Sequence, residues 1–191
     1  MSAILDLLSQ RWSPRAFASR AVETDKLVAL FEAARWAPSC YNDQPWSFLV
    51  TRRDTDTSYQ QLLSCLMAVN QAWAATAPVL VLNTVRKNFS HNGKPNHWAI
   101  YDLGLAVGNL LCEATHRGLL VHQMAGFDAS LAHGTLGLPE DHEAVAVMAI
   151  GYLGDPALLP AGVEEKDPGK RERRSLAEVA YTGQWKQGMK S

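Results

Sequence analysis

The spacing of apolar residues in the first part of the chain predicts two helices and a strand. From Thr24 to Ala37, apolar side chains recur at intervals of three and four residues, which places them on one face of a helix with Thr24 as its N-cap. Pro38 cannot continue a helix and ends it. The run from Trp46 to Arg52 then predicts a strand, and the stretch from Ser58 to Asn70 predicts a second amphipathic helix.

The longest predicted helix runs from Trp98 to Arg117, with Gly118 as its C-terminal stop. It is apolar over most of its surface, so we expect it to be buried nearly all round. Gly104 and Gly108 lie four residues apart on this helix, a spacing that lets another backbone approach closely. A dimer interface is one possible use of such a surface.

Three further apolar segments predict strands: Val79 to Val85, Gly118 to Gly126 and Glu143 to Leu153. Between the last two, Asp128 can cap a short helix that reaches about Leu136. Strands and helices therefore interleave, and the lengths between them do not require a purely parallel sheet. The pattern predicts a fold that mixes α and β elements.

The composition suits one folded domain with a tail. The chain has 191 residues, of which 47% are apolar and 19% charged, which is enough apolar material for a sizeable core and too little charge for a disordered chain. Beyond Asp155 the sequence shifts to Pro, Glu, Lys and Arg, and no segment there can bury a core of its own. We therefore expect this tail to pack on another surface.

Charge and residue spacing exclude several kinds of partner. The formal net charge of -1 gives no general attraction to nucleic acid or to an anionic membrane surface. No segment approaches the roughly 20 apolar residues of a membrane span, and the N-terminus lacks the features of a signal peptide. The three cysteines and six histidines lack the spacing of a disulfide framework or a metal site. We expect a cytoplasmic protein that binds no metal, nucleic acid or membrane.

Two cationic segments are the main candidates for binding chemistry. Arg11, Ser13 and Arg15 occupy alternate positions, so an extended segment would present two guanidiniums and a hydroxyl on one side. Guanidiniums match phosphate in charge and geometry, although alternating arginines also occur on solvated surfaces. A second cationic cluster lies near the end of the chain: Lys170, Arg171, Arg173 and Arg174.

No catalytic dyad or glycine-rich nucleotide motif is visible, which suggests that a cofactor supplies the chemistry. Four amide side chains could pair with the edge of a flat heterocycle: Asn42, Gln44, Asn70 and Gln71. Phosphate binders together with amides that suit a heterocycle point to a nucleotide or to flavin mononucleotide (FMN).

Five segments, in this order, are similar to those of the nitroreductase family of FMN-dependent oxidoreductases: RWSPRAF, AARWAPSCYNDQPW, GLAVGNLLCEATHRGLLVHQMAGFD, AIGYLGDP and RERRSL. The resemblance implies an α+β fold, with a mixed, mostly antiparallel sheet flanked by helices, and an intertwined homodimer with two FMN sites at the subunit interface. Residues 1–191 would form one domain, with 156–191 as a C-terminal arm packed on the partner subunit. Electrons would pass from NADH or NADPH to a second substrate by a ping-pong route.

The resemblance also implies roles for individual residues. The phosphate and ribityl chain of FMN would be held by Arg11, Trp12, Ser13, Arg15, Arg171 and Arg173. Asn70 would bond the pyrimidine edge, and the ring would be flanked by Gln123, Met124, Ala125 and Gly126, with a backbone N–H near flavin N5. The other subunit would wall the flavin with Pro38, Ser39, Cys40 and Asn42. The bound flavin, and no side chain, would carry the chemistry.

Two positions depart from the family's common pattern. Many relatives have a lysine three residues after the asparagine, where this chain has Trp73, and a glutamate where it has Ala125. Loss of a lysine removes a cation that could favour reduced flavin. We assign Tyr41 and Trp73 to the substrate side, although Trp73 is equally interpretable as a packed core aromatic.

Three functional hypotheses follow. The first is an FMN-dependent oxidoreductase that passes electrons from NADH or NADPH to a small-molecule acceptor, namely a nitroaromatic, a quinone or free flavin. The second is a flavin-binding dimer with little reductase turnover or with a divergent flavin chemistry, suggested by the missing lysine and glutamate. The third is a regulatory domain that binds another nucleotide through the same cationic segments.

Overall fold

The computed structural model describes residues 4–189. Three short 3-10 turns lie at Cys40–Asn42, Pro156–Leu158 and Pro168–Lys170. The helices and strands, in chain order, are α1 (Asp6–Gln10), α2 (Thr24–Arg35), β1 (Trp46–Arg52), α3 (Thr57–Cys65), α4 (Ala68–Ala74), β2 (Val79–Arg86), α5 (Ala99–His116), β3 (Leu120–Met124), α6 (Ala129–Thr135), β4 (His142–Gly151) and α7 (Leu176–Val179).

The four strands form one sheet in the order β1-β2-β4-β3. All three pairings are antiparallel, and the register between β2 and β4 shifts at Asn83/Thr84. Helices cover both faces, which confirms the predicted α+β class. On one face Val81 and Met148 pack with Leu30 of α2 and Leu110 of α5. On the other face β2 and β4 pack against α3, α4 and α6.

Several local signals in the sequence are confirmed. The apolar run from Trp46 to Arg52 forms β1 with those bounds. Gly118 follows α5 with a φ of +70°, a conformation that suits glycine and stops the helix. The Asp128 carboxylate accepts a hydrogen bond from Leu131 N at 2.8 Å, as an N-cap should.

The single helix predicted from Ser58 to Asn70 is wrong, because the chain breaks between α3 and α4. Leu66 and Met67 are extended: Leu66 forms an isolated bridge with Phe127, and Met67 N donates to Gly126 O at 3.0 Å. These long-range bonds outweigh the local helical pattern. The break also directs α4 towards the end of β3.

The N-cap predicted at Thr24 is also wrong by one residue. Glu23 is the N-cap, and it makes no side-chain capping bond. Thr24 is the first helical residue, and its hydroxyl instead accepts a hydrogen bond from Arg52 Nη2 at 3.0 Å. The hydroxyl therefore ties α2 to the end of β1.

The expectation that α5 is buried nearly all round is wrong for the single chain. Ile100 and Tyr101 near its N-terminal end are 53% and 64% exposed. A Cβ built at Gly104 or Gly108 meets no atom within 4 Å. One face of α5 is thus apolar and open, which is the surface that a second helix can approach.

The residues after β4 contribute little to either core. Their exposed large apolar side chains are Leu153, Leu158, Leu176, Val179, Trp185 and Met189. The short helix α7 is stabilised locally by a capping box between Ser175 and Glu178. The described part of this tail therefore presents apolar groups that the rest of the chain leaves uncovered.

Candidate functional site

The segment PSCYNDQPW contains three non-glycine residues in the left-handed region of backbone space: Tyr41, Asn42 and Gln44, with φ of 54°, 55° and 49°. Such residues cost of order 1–3 kcal/mol each and persist only where the surroundings fix them. Ser39 helps to fix the turn, because its Oγ accepts from Gln44 N at 3.0 Å. The turn is therefore a built feature rather than a plain connection.

Asp43 anchors this turn from inside the protein. Its side chain is fully buried, and it accepts bonds from Ser90 N at 2.8 Å, Ser90 Oγ at 2.6 Å and Arg86 Nη2 at 2.9 Å. Burial alone raises the pKa of Asp43, but the bonds from Ser90 and Arg86 outweigh it and hold that pKa below its usual value. The sequence alone did not point to this role.

Asp102 of α5 holds the same segment from the other side. It is 3% exposed, and its Oδ2 accepts from Cys40 N at 3.0 Å. An acid on a mainly apolar helix could have been noticed in the sequence, because buried carboxylates need partners. Around this bond lies an open pocket of about 390 Å³ lined by Pro38, Ser39, Cys40, Trp98, Tyr101, Asp102 and Leu105. Three of the predicted flavin-wall residues thus share one pocket.

Near the other end of α5, the first and last cationic segments come together. Arg171 reaches back to α1 and its flank, where its guanidinium donates to the carbonyls of Arg11 and, at 2.7 Å, Ser9. Burial lowers the pKa of Arg11, and the positive charges of Arg171 and Arg173 lower it further. None of the ion pairs among residues 4–189 includes these three arginines. They form a concentrated positive charge that suits an anion.

Arg15 lies on a separate set of contacts. Its backbone N–H donates to both carboxylate oxygens of Glu165 at 2.9 Å, and its Nη1 donates to Glu164 O at 2.9 Å. Its Nε is buried with no hydrogen-bond partner. A buried unpaired N–H is costly, so this atom is a candidate donor to a ligand. Ser13 lies beside Arg11 instead, with Arg11 Nη1 at 3.4 Å from Ser13 Oγ.

Asn70 and Gly126 meet at the end of β3. Asn70 Nδ2 donates to Gly126 O at 3.0 Å. A Cβ at position 126 would lie 2.7 Å from that same nitrogen, so a larger residue there would displace the Asn70 amide. Two residues predicted to contact the flavin ring, which are 56 positions apart in sequence, are therefore adjacent in space.

Trp73 lies inside the protein, and the structure therefore favours the packed-aromatic interpretation over a substrate contact. It is 2% exposed, and its ring lies 6.4 Å from Phe17 and 4.4 Å from His122. His122 Nδ1 is 2.7 Å from Pro14 O, so this nitrogen carries the proton. Burial lowers the pKa of His122, which keeps the ring neutral at pH 7.

The remaining predicted residues occupy varied positions. Gln123 and Ala125 are exposed on β3 and just beyond it, whereas Met124 is buried and can offer only its backbone. Tyr41 is 79% exposed and packs edge-on against Phe89. Trp12 is partly buried.

Gln123 also lines a cavity of about 220 Å³ under the open face of α5, together with Gly104, Gly108 and Asn83. The buried side-chain amide of Asn83 has no hydrogen-bond partner.

The described residues contain neither a metal cluster nor a membrane-spanning helix. Residues 4–189 contain no group of three or more His, Cys, Asp or Glu side chains placed to hold a metal ion. All three cysteines are free thiols. Among the helices of this part of the chain, none has the length and apolar character needed to cross a membrane.

Comparison with known proteins gives one consistent family. The sequence profile of the Nitroreductase family matches residues 8–152. An uncharacterised 15.4 kDa protein of Mycolicibacterium smegmatis is 34% identical over 144 residues, which are 72% of this chain and 96% of that protein. A protein of Streptomyces coelicolor, provisionally named an NADH dehydrogenase/NAD(P)H nitroreductase, is 28% identical over 74% of this chain and 78% of its own length.

Solved structures agree with that result. The crystal structure of an oxidoreductase containing FMN superposes with a TM-score of 0.86 at 34% identity and covers 96% of this chain and 93% of its own. A provisionally named nitroreductase of Desulfovibrio desulfuricans in complex with FMN has a TM-score of 0.72 at 26% identity, covering 97% of this chain and 99% of its own.

Proposed function

Since this chain belongs to the nitroreductase family, we propose that it is an FMN-dependent oxidoreductase. In this proposal, it takes electrons from NADH or NADPH and passes them by a ping-pong route to a nitroaromatic, a quinone or free flavin. The observation that carries the proposal is the group of Arg11, Arg171 and Arg173, which has no carboxylate partner among the described residues. Such a group fits the dianionic phosphate of FMN.

The chain's residues fit the rest of the cofactor. Arg15 has a buried Nε without a partner, which can donate to FMN. Asn70 and the backbone from Gln123 to Gly126 lie at one end of β3 and can bond the edge of the ring. When bound, FMN supplies the electron-transfer chemistry, which explains the absence of an acid-base dyad in the sequence. The chain's own residues bind, orient and shield it.

The position of the flavin wall supports a homodimer. The segment from Pro38 to Asn42 lies against the start of α5, near Asp102, whereas Arg11 follows α1, which packs on α5, and lies near Cys112, ten residues further along that helix. Ten helical residues span about 15 Å. We infer that these two parts of the FMN site come from different subunits, which meet across the open face of α5. The flavin wall of one subunit then lies next to the arginine cluster of the other.

A leucine at position 104 tests this dimer surface. The variant Gly104→Leu should fold, because Gly104 is exposed and a Cβ built there meets no packed neighbour within 4 Å. It should nevertheless obstruct the partner helix. Overpacking costs about 1–3 kcal/mol per side chain, counted twice in a two-fold dimer, which raises the dimer dissociation constant on the order of 30- to 10⁴-fold. Sedimentation velocity measures this constant.

Gly134→Leu is the matched control, because Gly134 lies in α6, is exposed and also has no atom within 4 Å of a built Cβ. It should leave the dimer intact. If the wall comes from the partner, Gly104→Leu should also lose FMN in proportion to the loss of dimer. A dimeric Gly104→Leu variant with full FMN content would show that this face is not the interface.

Steady-state kinetics test the proposed reaction. With either nicotinamide donor and a quinone, nitroaromatic or free flavin varied in turn, the ping-pong route requires parallel double-reciprocal lines. Intersecting lines would refute that route. If the FMN-loaded protein turned over none of these acceptors, the alternative of a flavin-binding dimer would be favoured. Two observations motivate that alternative: Trp73, which is buried, and Ala125, which is small, stand where many relatives have a lysine and a glutamate.

A further inference from the structure

The backbone at the second arginine of the RWSPRAF segment is held by a carboxylate that lies 150 residues away in sequence. Glu165 accepts hydrogen bonds from Arg15 N at 2.9 Å to each oxygen and from Ala16 N at 2.6 Å. One oxygen also accepts from its own neighbour, Lys166 N, at 2.9 Å. Bonds from N–H groups to a charged acceptor are stronger than neutral ones, so this is a firm attachment.

The neighbouring residue, Glu164, completes the attachment of Arg15. Its carbonyl accepts from Arg15 Nη1 at 2.9 Å, so two consecutive residues bind both the backbone and the guanidinium of Arg15. With one Nη and the backbone fixed, the side chain has little freedom to rotate. Its remaining buried donor, Nε, then keeps one position without a protein partner.

Other bonds fix the same segment from the opposite side. His122 Nδ1 bonds Pro14 O at 2.7 Å, and Ala16 O accepts from Gly154 N at 3.0 Å. The backbone on either side of Arg15 is thus tied to β3 and to the loop after β4. Glu165 supplies the only attachment to the N–H groups of Arg15 and Ala16 among the described residues.

We propose that Glu165 is a positioning residue for anion and cofactor binding: it braces Arg15 so that its free donor is pre-organised for FMN. The inference rests on the proposed function, because FMN is the ligand that Arg15 would serve. Pre-organisation raises affinity because the cost of ordering the side chain is met before the ligand arrives.

The direction in which one substitution changes the affinity for FMN distinguishes positioning of Arg15 by Glu165, called the brace below, from a simple effect of the charge of Glu165. Glu165→Gln removes a negative charge beside a site for a dianion, so charge alone predicts tighter FMN binding. The brace predicts weaker binding, because the single oxygen of a glutamine amide can replace only one of the two carboxylate oxygens, and the NH₂ in the other place faces Arg15 N, from which it cannot accept. We expect FMN affinity, measured by fluorescence quenching on titration, to fall about tenfold. Glu140→Gln removes an exposed charge just before β4, at the opposite end of that strand from Gly154; it is the control and should bind as wild type.

A double-mutant cycle shows whether the effect passes through Arg15. Arg15→Met keeps the aliphatic stem and removes the donor. If Glu165 acts by positioning Arg15, Glu165→Gln should cause no further loss of FMN affinity in the Arg15→Met background. A purely structural role would give the same fold-loss in both backgrounds and would overturn the proposal, as would unchanged or tighter binding in Glu165→Gln alone.

Amide hydrogen exchange tests the brace without FMN. In the FMN-free protein, Glu165→Gln should speed exchange at the N–H groups of Arg15 and Ala16 and leave Ala18 unchanged, because Ala18 N bonds Tyr152 O instead. Unchanged exchange at Arg15 and Ala16 would refute the brace. If wild-type protein binds no FMN, the proposed function fails, and this exchange result alone decides whether Glu165 holds the segment.

Discussion

Replacing Arg11 and Arg173 together by alanine is expected to weaken FMN binding roughly 10²- to 10⁴-fold, since a hydrogen bond to a charged group contributes about 1.5–3 kcal/mol and the variant loses one from each residue. The guanidinium of Arg173 lies close enough to that of Arg11 to lower the pKa of Arg11. Neither arginine has a carboxylate partner among the described residues. The dissociation constant follows from titration of the FMN-free protein.

A charge-matched control separates local contacts from the change in net charge. Arg20→Ala/Arg35→Ala also removes two positive charges, but each of these arginines pairs with a glutamate on an exposed surface. Such pairs contribute about 0–1 kcal/mol to stability. The control should bind FMN as wild type does. Equal FMN affinity in both double variants would refute the assignment of Arg11 and Arg173 to the phosphate.

Trp73→Ala is expected to lower the free energy of unfolding by about 3–5 kcal/mol, the usual cost of removing a buried tryptophan. Its side chain lies between Phe17 and His122 and is 2% exposed, so alanine leaves a cavity that neighbouring groups cannot fill. Equilibrium denaturation of the FMN-free protein measures the change. Trp73→Lys should be at least as damaging, because it would bury an unpaired charge.

Trp36→Ala is the matched control, since Trp36 is 78% exposed at the end of α2. It should change the free energy of unfolding by less than about 0.5 kcal/mol. If Trp73→Ala behaved like Trp36→Ala in denaturation and instead raised the KM for the electron acceptor, the substrate-contact interpretation of Trp73 would replace the packing interpretation.

Local signals predicted much of the fold. The strand from Trp46 to Arg52, the stop at Gly118 and the cap at Asp128 depend on residues close in sequence. The break at Leu66 and Met67 could not be predicted in this way, because it depends on backbone bonds to Gly126 and Phe127, about 60 residues later. A helical pattern carries no information about such a partner.

The candidate site, like the fold, could be predicted only in part from the sequence. The resemblance brought Arg11 and Arg171 into one predicted site, and the structure places them together. Glu165 was missed because an acid in a charged tail resembles a solvated surface residue, and only the fold brings it to Arg15. The ambiguity of Trp73 had the same origin, since one chain without its fold does not show whether an aromatic ring is enclosed.

The central claim is that the protein binds FMN and uses it to move electrons from a nicotinamide donor. An anaerobic visible spectrum of the FMN-loaded protein, recorded before and after NADH and then NADPH, tests it most directly. The proposal predicts bleaching of the flavin band by at least one donor and its return when a quinone is added. Protein that takes up no FMN, or bound FMN that neither donor bleaches, would contradict it.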